Sequence, residues 1–306
     1  MERRYGMILV VGATGILGGL ITQRLLGQGK GVRILVRHNS PAEEMAPQGM
    51  ATSPRSLIEA GAKPVYGDLK ERDSLDPACD GIETLITTAN SAMRGGEDTV
   101  DTVDRQGNAN LIAAAKAAGV KQFIFLSFLG AHPQNPVPLF QAKAETEALL
   151  AANGMPYTLL APNFFIESWA GMVVGIPLRA HQSVTLVGQG QRLHSLISIA
   201  DVAAFATATI GHPAAMNQRL ALGGPEPVSW RGVADAFGQA LGQELPVQFV
   251  APGEPIPGLP EMVPPVLAAM ESYDSPIPMQ EVARTFGVEQ TALASVVRRM
   301  LSGPDA

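Results

Sequence analysis

An apolar run that ends in a glycine-rich turn constrains the fold of this chain more than any other feature of its sequence. Residues 7–11 are continuously apolar, which is typical of a strand buried on both faces. The turn that follows reads Gly12-Ala13-Thr14-Gly15-Ile16-Leu17-Gly18 and opens a predicted helix over 15–26. A strand, a glycine turn and a helix in this order form a site whose helix-start amides bind the pyrophosphate of a dinucleotide.

Each glycine of this turn has a separate expected role. Gly12 permits a tight turn, and Gly15 lets the backbone approach the pyrophosphate because it carries no side chain. Gly18 lets the helix pack closely against the sheet. The alternative interpretation is an ordinary glycine-rich turn that binds no ligand.

The first half of the chain alternates strands with helices. Strands are predicted over 7–11, 32–36, 63–66, 84–88, 122–127 and 157–160, and helices over 15–26, 56–60, 103–118 and 141–152. This order predicts an α/β fold, a Rossmann-type doubly wound parallel sheet with helices on both faces. We therefore place a nucleotide-binding Rossmann domain over residues 1–162.

The pattern loosens beyond Pro162 and predicts a smaller C-terminal α/β substrate lobe over 163–306, interleaved with the first domain. The elements predicted there are strands over 183–187 and 193–197, helices over 202–210 and 230–241 capped by Asp201 and Ser229, and a helical hairpin over 280–301. The proline-rich stretch 251–278 predicts short helices and turns, because proline interrupts regular helices.

The second predicted strand is followed by a cation instead of an acid. An NAD-specific site usually carries a carboxylate about 20 residues after the glycines, where it binds the ribose hydroxyls. Arg37 occupies this position, and a guanidinium pairs with a 2′-phosphate that a carboxylate would repel. The sequence therefore predicts NADP(H) as the cofactor, with Arg33 a weaker second residue. Otherwise, Arg37 is only a solvated charge.

Other residues follow strand ends at the carboxyl edge of the predicted sheet, where ligands bind in open α/β folds. Asp68 can accept a hydrogen bond from the adenine amino group, or it can cap the next helix. Thr88, Ala89 and Asn90 have small side chains that leave room for the coenzyme.

Charge and composition exclude several classes of partner. The net charge of −6 provides no basic surface for nucleic acid, and no apolar run reaches the roughly 18 residues that span a membrane. The five histidines lack metal-ligand spacing, so we expect no metal site. Cys79 is the only cysteine, so no internal disulfide forms. We expect a cytoplasmic monomer or homodimer that acts on a small-molecule substrate.

Several motifs together resemble the NmrA-like group of atypical short-chain dehydrogenases/reductases. They are the glycine turn at 12–18, 32–37, Gly67-Asp68-Leu69, 110–121, Phe140-Gln141-Ala142-Lys143, 156–162 and Ile199-Ala200-Asp201-Val202-Ala203. The group includes NAD(P)H:quinone oxidoreductases, isoflavone-reductase-like enzymes and redox-sensing regulators. The resemblance extends to about residue 250 and implies a Rossmann fold with NADP(H) as the cofactor.

The resemblance also implies which residues form the site. The coenzyme is expected to contact Gly12, Thr14, Gly15, Ile16, Leu17, Gly18, Arg37, Asp68, Leu69, Thr88, Ala89, Asn90, Ser127, Lys143, Pro162, Asn163 and Phe165. Ser127 and Lys143 would lie at the nicotinamide ribose. The substrate pocket is expected to contain His132, Phe164 and Trp169. The histidine can instead be an ordinary loop residue, and the aromatic residues can be core packing.

One departure from the group bears on catalysis. Many relatives carry a proton-donating tyrosine four residues before the lysine, where this chain has Leu139, and an asparagine where it has Asp104. Lys143 is therefore the expected catalytic residue, which polarises a carbonyl or donates a proton if desolvation lowers its pKa. Its alternative role is a surface ion pair with Glu147.

These expectations leave two functional classes open. The first is an NADPH-dependent oxidoreductase that transfers hydride to a quinone, an enone or a related small carbonyl or aromatic substrate. The second is a non-catalytic NADP(H) sensor that passes its redox state to a partner. The missing tyrosine keeps the second class open, and it disfavours an epimerase or dehydratase of sugar nucleotides.

Overall fold

The computed structural model describes residues 6–38, 52–92, 94–256, 258–261 and 263–302. The strands are β1 (Met7–Val11), β2 (Val32–Val36), β3 (Lys63–Tyr66), β4 (Ile82–Thr87), β5 (Gln122–Leu126), β6 (Tyr157–Pro162), β7 (Val184–Val187), β8 (Gln218–Leu222) and β9 (Val247–Val250). The α-helices are α1 (Ile16–Gly27), α2 (Pro54–Glu59), α3 (Asp76–Cys79), α4 (Asn108–Ala117), α5 (Pro138–Asn153), α6 (Ile166–Ala170), α7 (Ile176–Arg179), α8 (Ile199–Ala208), α9 (Trp230–Leu241), α10 (Val263–Met270), α11 (Gln280–Phe286) and α12 (Leu293–Leu301).

The chain divides into two compact units. The first consists of Met1–Pro162, Val202–Ala221 and Thr285–Val288, and the second of Asn163–Asp201, Leu222–Arg284 and Glu289–Ala306. The chain thus leaves the first unit after Pro162, the residue at which we placed the boundary, and it returns there twice.

A seven-stranded sheet organises the first unit, in the order β3-β2-β1-β4-β5-β6-β8. Six of these strands pair in parallel, and Leu9 of β1 lies between Arg33 of β2 and Leu85 of β4. The strand order reverses between β1 and β4, which is the switch point where open α/β sheets bind ligands. The prediction of a Rossmann-type doubly wound sheet is confirmed. The second unit contains its own two-stranded parallel sheet of β7 and β9.

Apolar side chains of neighbouring strands form the core of the first unit. Leu9, Leu85 and Phe123 are completely buried, and they pack in one cluster with Leu111 of α4. Burial of each such side chain contributes about 1.5–3 kcal/mol to the stability of the fold. Cys79 lies in the same cluster, where burial raises the pKa of its thiol to about 11.

Two expectations for the second half of the chain are wrong. Residues 193–197 form no strand, because their backbone makes only single bridges, such as those from His194 to Val228 and Ser275. Asp201 does not cap a helix, because α8 begins two residues earlier, at Ile199. By contrast, the prediction that Ser229 caps α9 is confirmed, since its hydroxyl accepts a 3.0 Å hydrogen bond from the amide of Gly232.

The helix predicted over 103–118 forms, but it begins earlier and changes type along its length. Val100–Gly107 is a π-helix, and α4 follows it directly. A Cβ at Gly107 would lie 2.9 Å from the Cβ of Leu69, so only glycine allows this close approach. The strands β8 and β9 were not predicted.

Candidate functional site

The glycine turn lies between β1 and α1, at the switch point of the sheet. Gly12 has a φ of +84°, a left-handed conformation that glycine adopts without strain. An added Cβ at Gly12 would lie 2.8 Å from both the amide nitrogen of Ala89 and the hydroxyl of Thr88. Gly12 therefore forms the tight turn that the sequence predicts.

The two later glycines of the turn have different surroundings. Among the described residues, a Cβ at Gly15 would meet only the carbonyl oxygen of Gly12, at 3.4 Å, and Gly15 is exposed. A Cβ at Gly18 would lie 2.1 Å from the same oxygen, so α1 packs against the end of β1 without room for a side chain. The backbone amides at the start of α1 carry partial positive charge that suits an anion.

A cavity beside this turn brings six of the predicted coenzyme residues together. They are Gly12, Thr14, Arg37, Asp68, Leu69 and Ala89. Ile16 is half-buried in the first turn of α1, and Leu17 is buried in the same turn. Two charged residues that the sequence did not single out, Arg94 and Asp98, also line the cavity.

Arg37 follows β2 and is not a solvated charge. Its Nη1 donates a 2.6 Å hydrogen bond to Oδ2 of Asp98, and its side chain is only one-third exposed. Arg33 points to a different place, where Nη1 donates to the carbonyls of Pro77, Ala78 and Asp80. Only Arg37 of the two thus lies in the cavity wall.

Two further loops that follow strands are fixed by local hydrogen bonds. Oδ1 of Asp68 accepts a 2.9 Å bond from the amide of Lys70 and so closes a turn instead of capping a helix. Oδ1 of Asn90 accepts from the amide of Ala92 at 2.9 Å, and its Nδ2 donates to the carbonyl of Thr88 at 3.3 Å. These bonds hold backbone that lies next to the glycine turn.

Lys143 of α5 is buried beneath the end of β5. Its Nζ donates a 2.8 Å hydrogen bond to the carbonyl oxygen of Leu126 and lies 5.2 Å from the centre of the Phe125 ring. Desolvation lowers the pKa of Lys143 to about 8, although the charges of Asp104 and Glu147 oppose the shift. A lowered pKa is what a proton donor at this position needs, and the catalytic role of Lys143 stays a prediction.

Asp104 is a buried acid whose charge raises the pKa of Lys143. It is 1% exposed, and its Oδ2 accepts a 3.0 Å hydrogen bond from the amide of Ser91. Its Oδ1 has no hydrogen-bond partner among the described residues. Its position in the π-helix places a carboxylate in the low-dielectric surroundings of Lys143.

Ser127 and Glu147 form a separate polar group at the end of β5. The hydroxyl of Ser127 donates to Oε1 of Glu147, whose Oε2 lies 2.9 Å from Nε of Arg219. No ion pair within 4.0 Å joins the described side chains of Lys143 and Glu147. The alternative role of Lys143 as the ion-pair partner of Glu147 is therefore wrong.

The predicted residues beyond Pro162, which ends β6, lie in the second unit. Nδ2 of Asn163 donates a 3.0 Å hydrogen bond to the hydroxyl of Ser275. The Phe164 and Trp169 rings pack edge to face, with centres 4.7 Å apart, and Phe165 precedes α6. Phe164 is buried, so the core-packing interpretation describes its surroundings. Contact of these residues with coenzyme or substrate stays a prediction.

His132 lies on an exposed loop of the first unit. Its Nδ1 accepts a 3.2 Å hydrogen bond from the amide of Gln134, which is a local turn contact. Its predicted place in a substrate pocket stays a prediction. Across the part of the chain that the structure describes, no group of three or more histidine, cysteine or acidic side chains could hold a metal ion.

The residues that sequence reasoning missed surround Arg37. Lys70, Arg94 and Asp98 lie on two loops whose paths the local sequence does not determine. The only signal was the spacing of Arg94 and Asp98, four residues apart.

Among the described helices, none is both long and apolar enough to cross a membrane.

Comparison with known proteins gives a consistent family. The model of the NmrA-like family matches residues 5–300. The NAD(P)H azoreductase of Xenophilus azovorans is 32% identical over 246 residues, which cover 80% of this chain and 77% of that protein. The Photosystem II assembly factor Ycf39 of Cyanophora paradoxa is 35% identical over 198 residues, 65% of this chain and 57% of that protein.

Solved structures share the fold. The NADPH complex of the NADPH-dependent quinone oxidoreductase QOR2 from Escherichia coli matches with a TM-score of 0.77 and 23% identity, covering 97% of this chain and 100% of that chain. The chain spans 57% and 58% of the length of two assembly factors named Ycf39, which are therefore longer proteins.

Proposed function

Because the chain belongs to the NmrA-like family, we propose that it binds NADP(H) on its first unit and transfers hydride to a small acceptor. The acceptor is a quinone, an enone or a related carbonyl or aromatic compound. The observation that carries the proposal is the glycine turn beside a cavity whose wall contains Arg37. The location that we propose is the cytoplasm.

The residues of the turn fit a dinucleotide. A Cβ at Gly15 would meet only one atom of the residues that the structure describes, so the backbone can approach a pyrophosphate there. The start of α1, a helix of 12 residues, directs amides towards the same place. Arg37 would bind the 2′-phosphate of the adenosine ribose, and Asp68 would accept from the adenine amino group.

The other end of the coenzyme would lie at the end of β5. Ser127 directly follows this strand, and Lys143 lies beneath its last residue. NADPH, when bound, supplies the hydride, so the chain needs chiefly to orient the two reactants and exclude water. Lys143 would hold a proton at Nζ and polarise an acceptor oxygen, because its charged form is desolvated. Ser127 and Glu147 would position the end of β5.

The acceptor class follows from Leu139, which stands where many relatives have a proton-donating tyrosine. Leucine cannot exchange a proton, so the tyrosine mechanism of many relatives is absent here. Reduced quinones, in contrast, can take their protons from water, so the chain needs only the polarisation that Lys143 would provide. Relatives named as an azoreductase and a quinone oxidoreductase support an acceptor of this kind.

A second candidate function is a non-catalytic NADP(H) sensor that acts through a partner protein. Leu139 supports it, because a sensor needs no proton donor. The Ycf39 relatives also support it, since they are named as assembly factors and not as reductases.

Coenzyme oxidation by the full chain tests the proposal. We expect NADPH consumption with at least one of a simple quinone, an enone and an azo dye. Arg37→Gln should raise KM for NADPH by about tenfold, because a charge-assisted pair with phosphate is lost, and change KM for NADH less than about twofold. Arg33→Gln is the matched control, since Arg33 donates to backbone carbonyls outside the cavity.

The outcomes separate the two functions. Tight NADPH binding without turnover of any acceptor would favour the sensor. Absence of binding to either coenzyme would contradict both functions.

A further inference from the structure

Three cationic side chains converge on one carboxylate in the cavity wall. Oδ2 of Asp98 lies 2.6 Å from Nη1 of Arg37 and 3.5 Å from Nη1 of Arg94. Its Oδ1 accepts a 2.9 Å hydrogen bond from Nζ of Lys70. These cations come from three separate segments, so the arrangement depends on the fold and not on one local sequence.

The carboxylate lies deeper than the cations that surround it. The side chain of Asp98 is 10% exposed, whereas those of Arg37, Lys70 and Arg94 are 34%, 27% and 31% exposed. Burial opposes ionisation of Asp98, but the bonds from Lys70 and Arg37 lower its pKa below the usual value. Asp98 is therefore charged at neutral pH.

Other acids near this cluster contribute less. Oδ2 of Asp68 and Oε2 of Glu97 lie 3.9 Å and 4.0 Å from Nζ of Lys70. The side chain of Glu97 is 96% exposed, so solvent screens its charge. Among the described residues, Asp98 alone contacts all three cations, and Arg37 and Arg94 both face the cavity.

We propose that Asp98 is a built-in counter-anion of the 2′-phosphate site, and that it limits the preference of the chain for NADP(H) over NAD(H). This inference rests on the proposed function. A 2′-phosphate that reaches Arg37 must share that guanidinium, and the nearby Arg94, with a carboxylate of like charge. NAD(H) has a hydroxyl in place of the phosphate, and it meets cations that Asp98 has already neutralised.

Replacement of the charge by an amide of the same shape tests the inference. We expect Asp98→Asn to tighten NADPH binding by about tenfold and to change NADH binding less than about twofold, measured by calorimetric titration of the full chain. Glu97→Gln is the matched control, because it removes the same charge from the neighbouring exposed position. It should change both affinities less than about twofold.

A second variant covers the possibility that Asp98→Asn loosens the loop. Arg94→Gln removes a cation and keeps Asp98, so it should weaken NADPH binding and leave NADH binding within about twofold. Weaker NADPH binding in a folded Asp98→Asn variant, or equal changes for both coenzymes, would overturn the inference alone. A wild-type chain that binds neither coenzyme would overturn this inference together with the proposed function.

Discussion

The ammonium group of Lys143 donates a 2.8 Å hydrogen bond to the carbonyl oxygen of Leu126, the last residue of β5. This bond ties the first half of α5 to the carboxyl edge of the sheet and holds a positive charge out of solvent. No described carboxylate lies within 4.0 Å of Nζ, so the charge is supported by a backbone dipole and by more distant acids. Both the stability and the activity of the chain should therefore respond to the protonation of Lys143.

The first prediction concerns stability against pH. The pKa of Lys143 is about 8 in the folded chain, against an ordinary value of 10.5. The unfolded chain therefore binds more protons between these values, and the free energy of unfolding rises with pH through this window. The destabilisation is complete below pH 8 and is removed as the pH approaches 10.5. Between about pH 7 and 9.5 the gain should be about 2 kcal/mol.

Urea unfolding of Lys143→Met at both pH values isolates this contribution. The variant should lack the gain, so its stability relative to wild type falls as the pH rises. Lys116→Met is the matched control, because Nζ of Lys116 also donates to a backbone carbonyl, that of Asn153 at 2.7 Å, but is exposed. An equal pH response of wild type and Lys143→Met would contradict the prediction.

The second prediction concerns the rate of acceptor reduction. If the ammonium form of Lys143 polarises the acceptor, kcat/KM should fall as the pH rises above about 8. Lys143→Met should reduce kcat/KM and abolish the alkaline limb, whereas Lys116→Met should keep it. If kcat/KM of Lys143→Met still falls above about pH 8, the fall belongs to the titration of another group.

The third prediction compares two glycines of α1. A Cβ at Gly18 would lie 2.1 Å from the carbonyl oxygen of Gly12, so Gly18→Ala should lower the free energy of unfolding by about 2 kcal/mol or more. A Cβ at Gly27 would have no neighbour within 4 Å in the described part of the chain. Gly27→Ala should therefore raise stability by about 0.5 kcal/mol. Thermal and urea unfolding measure both changes, and equal effects would show that the helix does not press on the turn.

The fourth prediction concerns Asp201, which is 4% exposed in the second unit. Its two carboxylate oxygens accept 2.7 Å hydrogen bonds from the amide and the hydroxyl of Thr291. Asp201→Ala leaves the amide and the hydroxyl of the half-buried Thr291 without their acceptors, so the loss of stability should be about 2–3 kcal/mol. Asp235→Ala, at an exposed position of α9, should change stability less than about 0.5 kcal/mol. A loss no larger than that of Asp235→Ala would remove the structural role of Asp201.

Much of the first unit could be predicted because its signals are local. The apolar run at β1 predicts its bounds correctly, since a strand covered on both faces is continuously apolar. The bounds of β2 and β3 were also predicted correctly, although β2 contains Arg33 and β3 is largely exposed. The turn at Gly12 was also predicted from a local signal, because glycine adopts its left-handed backbone conformation without strain.

The failures depend on contacts between distant segments. Residues 193–197 look strand-like, but their backbone bonds are divided among several segments, which include Phe164, Val228 and Ser275, so no continuous ladder forms. β8 was missed because Gln218–Leu222 is a half-exposed strand without β-branched residues. The Asp98 cluster was missed because it needs three segments that only the fold brings together.

The edge position of β8 restricts which parts of the chain can be transferred into a chimeric protein. β8 lies beside β6, yet the stretch between them, which ends at Asn217, first builds part of the other unit. A gene fragment that stops at Pro162 would encode a sheet whose last strand has an open edge, which invites aggregation. A chimera that takes only Met1–Pro162 of the first unit should therefore be insoluble. A chimera that also carries Val202–Ala221 and Thr285–Val288 should fold.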